Sequence, residues 1–323
     1  MSRRLLVLLP LGALVVALFT VRLPYFSQGP GPAEDVEPLI RITGHEKFGS
    51  AGHFVLTSVA FGQLSVFQAI GAWLDPNRSI VRESAFVYPG ETEQEATQRA
   101  ISEMSESKID AAYAVLSRVA GYPRAHGRGV LVESVLGAGC PASGKLFPGD
   151  RLQTLNGHPI LSQREFRRRL DGIPAGATIR LNGTAGGESF SLSIVRRRCD
   201  DSKRPLIGIA SIATFPFGIN ISSGDIGGPS AGLMWALGLY DLLTPGDLTG
   251  GKTIAGTGTI SPDGRVGPIG GIQDKVAGAK GVGASLFFVP AGENYRQAIA
   301  VAGNLKLVPV RSLTQALRFL RRH

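Results

Sequence analysis

Residues 227–232 read Gly-Gly-Pro-Ser-Ala-Gly, and residues 267–275 read Gly-Pro-Ile-Gly-Gly-Ile-Gln-Asp-Lys. Pro229 pre-sets a first helical turn, and Leu233, Trp235, Leu237 and Leu239 continue it as an apolar helix. The pattern predicts Ser230 at a helix N-terminus, where unpaired amides and the helix dipole favour a developing negative charge. A serine in that position is most often only a cap. This one is unusual for what it lacks, because no histidine occurs from 159 to 322. A nucleophilic Ser230 must therefore give its proton to some other base. Lys275 opens a second predicted helix beside Ile272, Val276 and Ala279. A lysine removed from water can be neutral near physiological pH and accept that proton.

Around this pair the chain has 323 residues, 43% hydrophobic and 18% charged, the composition of a folded protein with room for several domains. Its net charge of +9 sits in separate clusters at the N-terminus, 164–169, 196–198 and the C-terminus. Phe166 and Phe319 fall within two of them, but no series of aromatic residues alternates with the basic ones to stack bases, so nucleic acid is not an expected partner. Arg3 and Arg4 precede an uncharged run from Leu5 to Val21, at the lower edge of bilayer-spanning length. The charge bias predicts residues 1–22 as a cytoplasmic stub and transmembrane anchor, with everything beyond it extracytoplasmic at the cell membrane. A cleaved signal peptide is the other reading, and it leaves the compartment unchanged. Cys140 and Cys199 would then face an oxidising space, where a disulfide and two buried thiols both stay open. Neither cysteine has a metal-ligand partner at finger-like spacing, so no metal is expected.

Gln28-Gly29-Pro30-Gly31-Pro32 reads as an extended linker over 23–40. A mixed α+β region is expected over 41–124, with a buried helix at Leu64 to Leu74. A long helix is expected from Thr92 to Val119, its core face formed by Ile101, Met104, Ile109 and Leu116. Residues 125–198 are strand-rich, with an Asn156-Gly157 hairpin turn inside the stretch "FPGDRLQTLNGHPI" and a helix from Gln163 to Leu170. This stretch resembles a PDZ domain of the bacterial protease-associated kind. The resemblance implies a peptide groove between the strand at Gly129 and Val130 and the helix after 163, with nearby amides taking a C-terminal carboxylate.

From Gly227 to Pro290 the sequence resembles the proteolytic domain of Lon proteases. Gly228 to Gly232 matches the nucleophile motif, Gly267 to Lys275 matches the segment bearing the dyad lysine, and Thr257 falls where a threonine supports that lysine. With the anchor and the PDZ-like segment, the chain resembles the membrane-anchored PDZ-Lon proteases of bacteria. The implied fold is α+β and multidomain, with a Lon-type α/β domain over 199–323 and room for a ring-shaped homo-oligomer. The implied activity is ATP-independent serine endopeptidase action on extracytoplasmic proteins or peptides: Ser230 as nucleophile, Lys275 as base, Thr257 in support and amides near Gly228 as oxyanion donors. From a different class, the chain would be a peptide-binding scaffold whose Lon-type domain is inactive or only self-processing. One departure is visible: the family's acidic residue three before the serine is Gly227 here.

Gly246 to Thr253 satisfies P-loop spacing, but it is predicted to follow a helix and open a strand, the reverse of a phosphate-binding loop. Gly139 to Lys145 has Leu146 where the magnesium-binding hydroxyl belongs. Neither nucleotide nor any other cofactor is expected.

Overall fold

The computed structural model describes residues 16–75, 77–137, 139–199, 202 and 204–322. In the strand Leu286–Pro290 every residue is buried, the pattern of a parallel strand covered on both faces. It belongs to a six-stranded sheet ordered Lys306–Val310, Leu286–Pro290, Thr253–Gly256, His53–Ser65, Arg22–Asp35 and Ser79–Arg82. The first four strands are parallel, and the last two join antiparallel. Alternating side chains divide between two cores. Phe54, Leu56, Ile254 and Phe288 pack with Trp235 and Leu237 on one face. Val55, Ala255, Phe287 and Val289 pack with Ile272, Val276 and Ala279 on the other. The helix Gly232–Leu243 is buried at every position, as a helix apolar all round must be. The helix Glu93–Val119, started by a capping box between Thr92 and Glu95, packs along it.

The N-terminal transmembrane helix expected within residues 1–22 is not upheld. Among the described residues no helix is long and apolar enough to cross a membrane. Residues 16–20 are helical and a strand begins at Arg22; Arg3, Arg4 and the run up to residue 15 lie outside the described residues. The linker expected over 23–40 is also corrected, since Arg22–Asp35 is a strand inside the main sheet. Its prolines fit because Ser79–Arg82 pairs only with Tyr25 to Gln28. Pro30 and Pro32 therefore lie where the strand has an open edge, and a missing N–H costs little there. Nor is 41–124 separate from the C-terminal region, because His53–Ser65 pairs directly with Thr253–Gly256. Helix Val66–Leu74 forms as expected but buries only Ala72, leaving Phe67, Ile70, Trp73 and Leu74 exposed. The long helix buries Met104, Ile109 and Leu116, whereas Ile101 stays at its surface.

The strand-rich segment forms a second sheet, ordered Ile209–Ala213, Val130–Val135, Arg151–Leu155, Thr178–Ala185 and Glu188–Val195. Asn156 and Gly157 make its hairpin turn with positive φ of 51° and 80°. Helix Gln163–Asp171 covers the sheet with Phe166. The chain enters this segment and leaves it side by side: the Gly127 amide donates to the Thr214 carbonyl, and the Thr214 hydroxyl donates to the Arg128 carbonyl.

Cys140 and Cys199 form a disulfide across a sequence separation of 59. Gly208 passes so close that a Cβ there would lie 2.4 Å from the Cys140 Cβ. Replacing both cysteines by serine is expected to cost about 2–4 kcal/mol, the usual worth of a bridge closing a long loop. Urea unfolding of the oxidised protein against the double variant measures it, and equal midpoints would contradict the expectation.

Candidate active site

Gly228 takes φ +80°, a conformation open to glycine, and turns the chain into the 3-10 turn Pro229–Ala231 ahead of helix Gly232–Leu243. Ser230 is half-buried in that turn. Its carbonyl accepts from the Gly258 amide at 2.8 Å and from the Thr257 hydroxyl at 2.9 Å. The Leu233 amide donates back to the Gly258 carbonyl at 3.0 Å. The serine turn is thus tied to the loop leaving strand Thr253–Gly256.

Lys275 lies in the first turn of helix Ile272–Gly281, and its side chain runs through the protein at 3% exposure. Its Nζ lies 2.6 Å from Ser230 Oγ and 3.4 Å from Thr257 Oγ1. Burial lowers the Lys275 pKa from the ordinary lysine range to about 8. Ser230, Lys275 and Thr257, far apart in sequence, therefore converge. Such a set can transfer a proton from a hydroxyl to an amine while the threonine holds the amine in place.

Other expected residues fall elsewhere. The Gly228 amide, expected as an oxyanion donor, already donates to the Ala100 carbonyl at 2.8 Å. Gly129 and Val130 do not edge a groove. The strand Val130–Val135 is paired on both sides, with Arg151–Leu155 and with Ile209–Ala213. On that side of the sheet the outer strand is Ile209–Ala213, last in sequence, and Glu188–Val195 is the outer strand on the other. The Gln163 side-chain amide donates to the Ser211 carbonyl on Ile209–Ala213.

The long helix supplies contacts that sequence patterns did not reveal. The Ser107 hydroxyl donates to the Pro229 carbonyl at 2.9 Å, next to Ser230. A Cβ on Gly227 would lie 2.9 Å from the Ala100 Cβ, so the helix fills the space a side chain at 227 would need. That accounts for glycine at this position. From the N-terminal strand, Gln28 Nε2 donates to Asp274 Oδ2 at 2.6 Å, beside Lys275. Ser107 and Gln28 are ordinary polar residues in sequence, and no local signal sets them apart. Gly246 to Thr253 links helix Gly232–Leu243 to strand Thr253–Gly256, with Asp247 capping the Thr249 and Gly250 amides.

Residues 191–320 match the family model of the Lon protease (S16) C-terminal proteolytic domain. "Lon protease 2" of Bacillus subtilis (strain 168) is 33% identical over 103 residues, covering 32% of this chain and 17% of the relative. "Lon protease" of Trichlorobacter lovleyi is 34% identical over 96 residues, covering 28% of this chain and 11% of the relative. The chain thus spans a small part of these relatives' length. Among solved structures, the PDZ domain of the SdrC-like protein from Listeria monocytogenes aligns at 26% identity and a TM-score of 0.24, covering 26% of this chain and 87% of that domain. The corresponding Listeria innocua domain aligns at 28% identity and a TM-score of 0.24, covering 26% of this chain and 92% of that domain. With the motifs around Ser230 and Lys275 falling inside the matched span, residues 191–320 are a Lon protease (S16) C-terminal proteolytic domain.

Proposed function

We propose that this chain is an ATP-independent serine endopeptidase in which Ser230 and Lys275 form the catalytic dyad. The observation that carries the reading is the 2.6 Å approach of Lys275 Nζ to Ser230 Oγ within the matched domain. Neutral Lys275 takes the Ser230 proton as Oγ attacks the peptide carbonyl. Returning that proton to the leaving amine yields an acyl-enzyme, which water then hydrolyses by the same route in reverse. Thr257 holds the lysine. With the Gly228 amide donating to Ala100 and the Gly232 amide to the Pro229 carbonyl, the oxyanion would fall to the amide of Ser230 itself.

The PDZ-like segment would select substrate at the free edge of Ile209–Ala213, where an extended peptide adds as a strand once the Gln163 side chain gives way. The disulfide supports work in an oxidising, extracytoplasmic compartment.

Hydrolysis of casein or quenched peptides without ATP, together with labelling of Ser230 by a fluorophosphonate, tests the activity. If neither occurs while peptides still bind, the scaffold reading replaces it. The pH dependence is a further expectation. Only the neutral amine accepts a proton, so kcat/KM should rise with pH and level off above about 8. It should fall about tenfold per unit well below that. At pH 7.5 roughly a quarter of the enzyme would be in the active form. A profile flat from pH 6 to 9 would remove Lys275 from the role of base.

A further inference from the structure

A cavity of about 360 Å³ opens between the long helix and the loop that leads to the nucleophile. Ile101, Met104 and Ile226 give it apolar walls, and Ser105, Lys108 and Ser223 line it with polar groups. Its lining reaches to within one residue of the turn that carries Ser230. Ile226 lies just ahead of Gly227, and the same helix contacts Gly228 through Ala100 and Pro229 through Ser107.

Lys108 is the unusual member. Its Nζ donates to Ser223 Oγ at 2.7 Å, and Ser223 is itself buried. Among the described residues no carboxylate lies within ion-pair reach of it. Burial depresses its pKa below the ordinary lysine range, with no opposing charge. An ammonium held in a partly desolvated pocket against one hydroxyl is short of an anion. An apolar wall with a cation at the end fits a short aliphatic stem ending in a carboxylate.

We infer that this cavity is a substrate side-chain pocket, and that Lys108, with Ser223, selects an acidic residue of the peptide. The inference rests on the peptidase reading for its setting, but it is tested through binding. Dye-labelled octapeptides carrying Glu, Gln, Leu or Lys at one central position would be titrated by anisotropy against the full chain bearing Ser230→Ala. The Glu peptide is expected to bind about tenfold more tightly than the Gln or Leu peptide, the worth of one charge-assisted hydrogen bond. Lys108→Met should erase that difference while the Leu peptide keeps its affinity, and Lys108→Glu should shift preference to the Lys peptide. Equal binding of the Glu and Gln peptides to the parent chain overturns the inference without any Lys108 variant. So does absence of binding, or a uniform weakening by Lys108→Met, which marks a merely structural lysine. Glu-selective binding with no hydrolysis of any peptide by the unmutated chain would sink the peptidase reading and leave the pocket standing.

Discussion

Ser230→Ala is expected to abolish peptide hydrolysis and fluorophosphonate labelling, lowering kcat at least about a thousandfold while the fold persists. Among the described residues the hydroxyl accepts one side-chain hydrogen bond, from Lys275, and the turn around it is held by backbone groups that alanine keeps. Lys275→Met and Lys275→Arg separate the possible roles of the lysine. Methionine fills the buried channel without a proton acceptor, so stability should hold or rise while activity goes, since a buried ammonium without a counter-charge is costly. Arginine keeps the charge but does not deprotonate in the working range, so it should be as inactive as methionine. Combining Ser230→Ala with either should add little further loss, because residues acting as a unit are not additive. Near-normal turnover in Ser230→Ala or Lys275→Met would end the dyad assignment.

A second large effect concerns the borders of the catalytic unit. The segment matching the Lon domain, 191–320, is expected not to fold when expressed alone. It would keep the strands Thr253–Gly256, Leu286–Pro290 and Lys306–Val310 but lose His53–Ser65 from the edge of the first. Phe54 and Leu56 would vanish from the core beside Trp235, and Met104 and Leu116 from the helix covering it. Each such side chain is worth about 1.5–3 kcal/mol when fully buried. Together they rival the whole stability of an ordinary domain, about 5–15 kcal/mol. Circular dichroism and thermal melting decide it: a cooperative transition in the fragment would show that the N-terminal strands are dispensable.

These two expectations mark where the sequence is transparent. The helix starts that carry Ser230 and Lys275 were legible because glycines, Pro229 and apolar neighbours fix the local turn or helix, whereas Thr257 was singled out only by resemblance to Lon domains; the structure brings the three side chains together. The Asn156-Gly157 hairpin was legible for the same reason. Strand Arg22–Asp35 was not, because glycine and proline normally signal a break, and here they are tolerated by an open edge and a register shift between Pro30 and Ala33. The strand at Val130 was expected to be an edge and is not, because order along the chain differs from order in the sheet: Ile209–Ala213 pairs back onto Val130–Val135 from beyond the last expected strand. Ala100 and Ser107 could not be found at all. Their contacts to Gly228 and Pro229 arise only when a helix folded from the first part of the chain docks against the Ser230 turn.

The paired amide and carbonyl of Gly127 and Thr214 put the two ends of the strand-rich segment within one hydrogen bond of each other. A segment that departs and returns at a single point places no demand of length on its host, and the host places none on it. Everything from Arg128 to Ala213 could be excised and the gap closed with a short turn, or a different recognition module spliced in, without stretching the catalytic sheet. In this architecture the strand-rich segment is an exchangeable part, whereas the two halves of the main sheet are not.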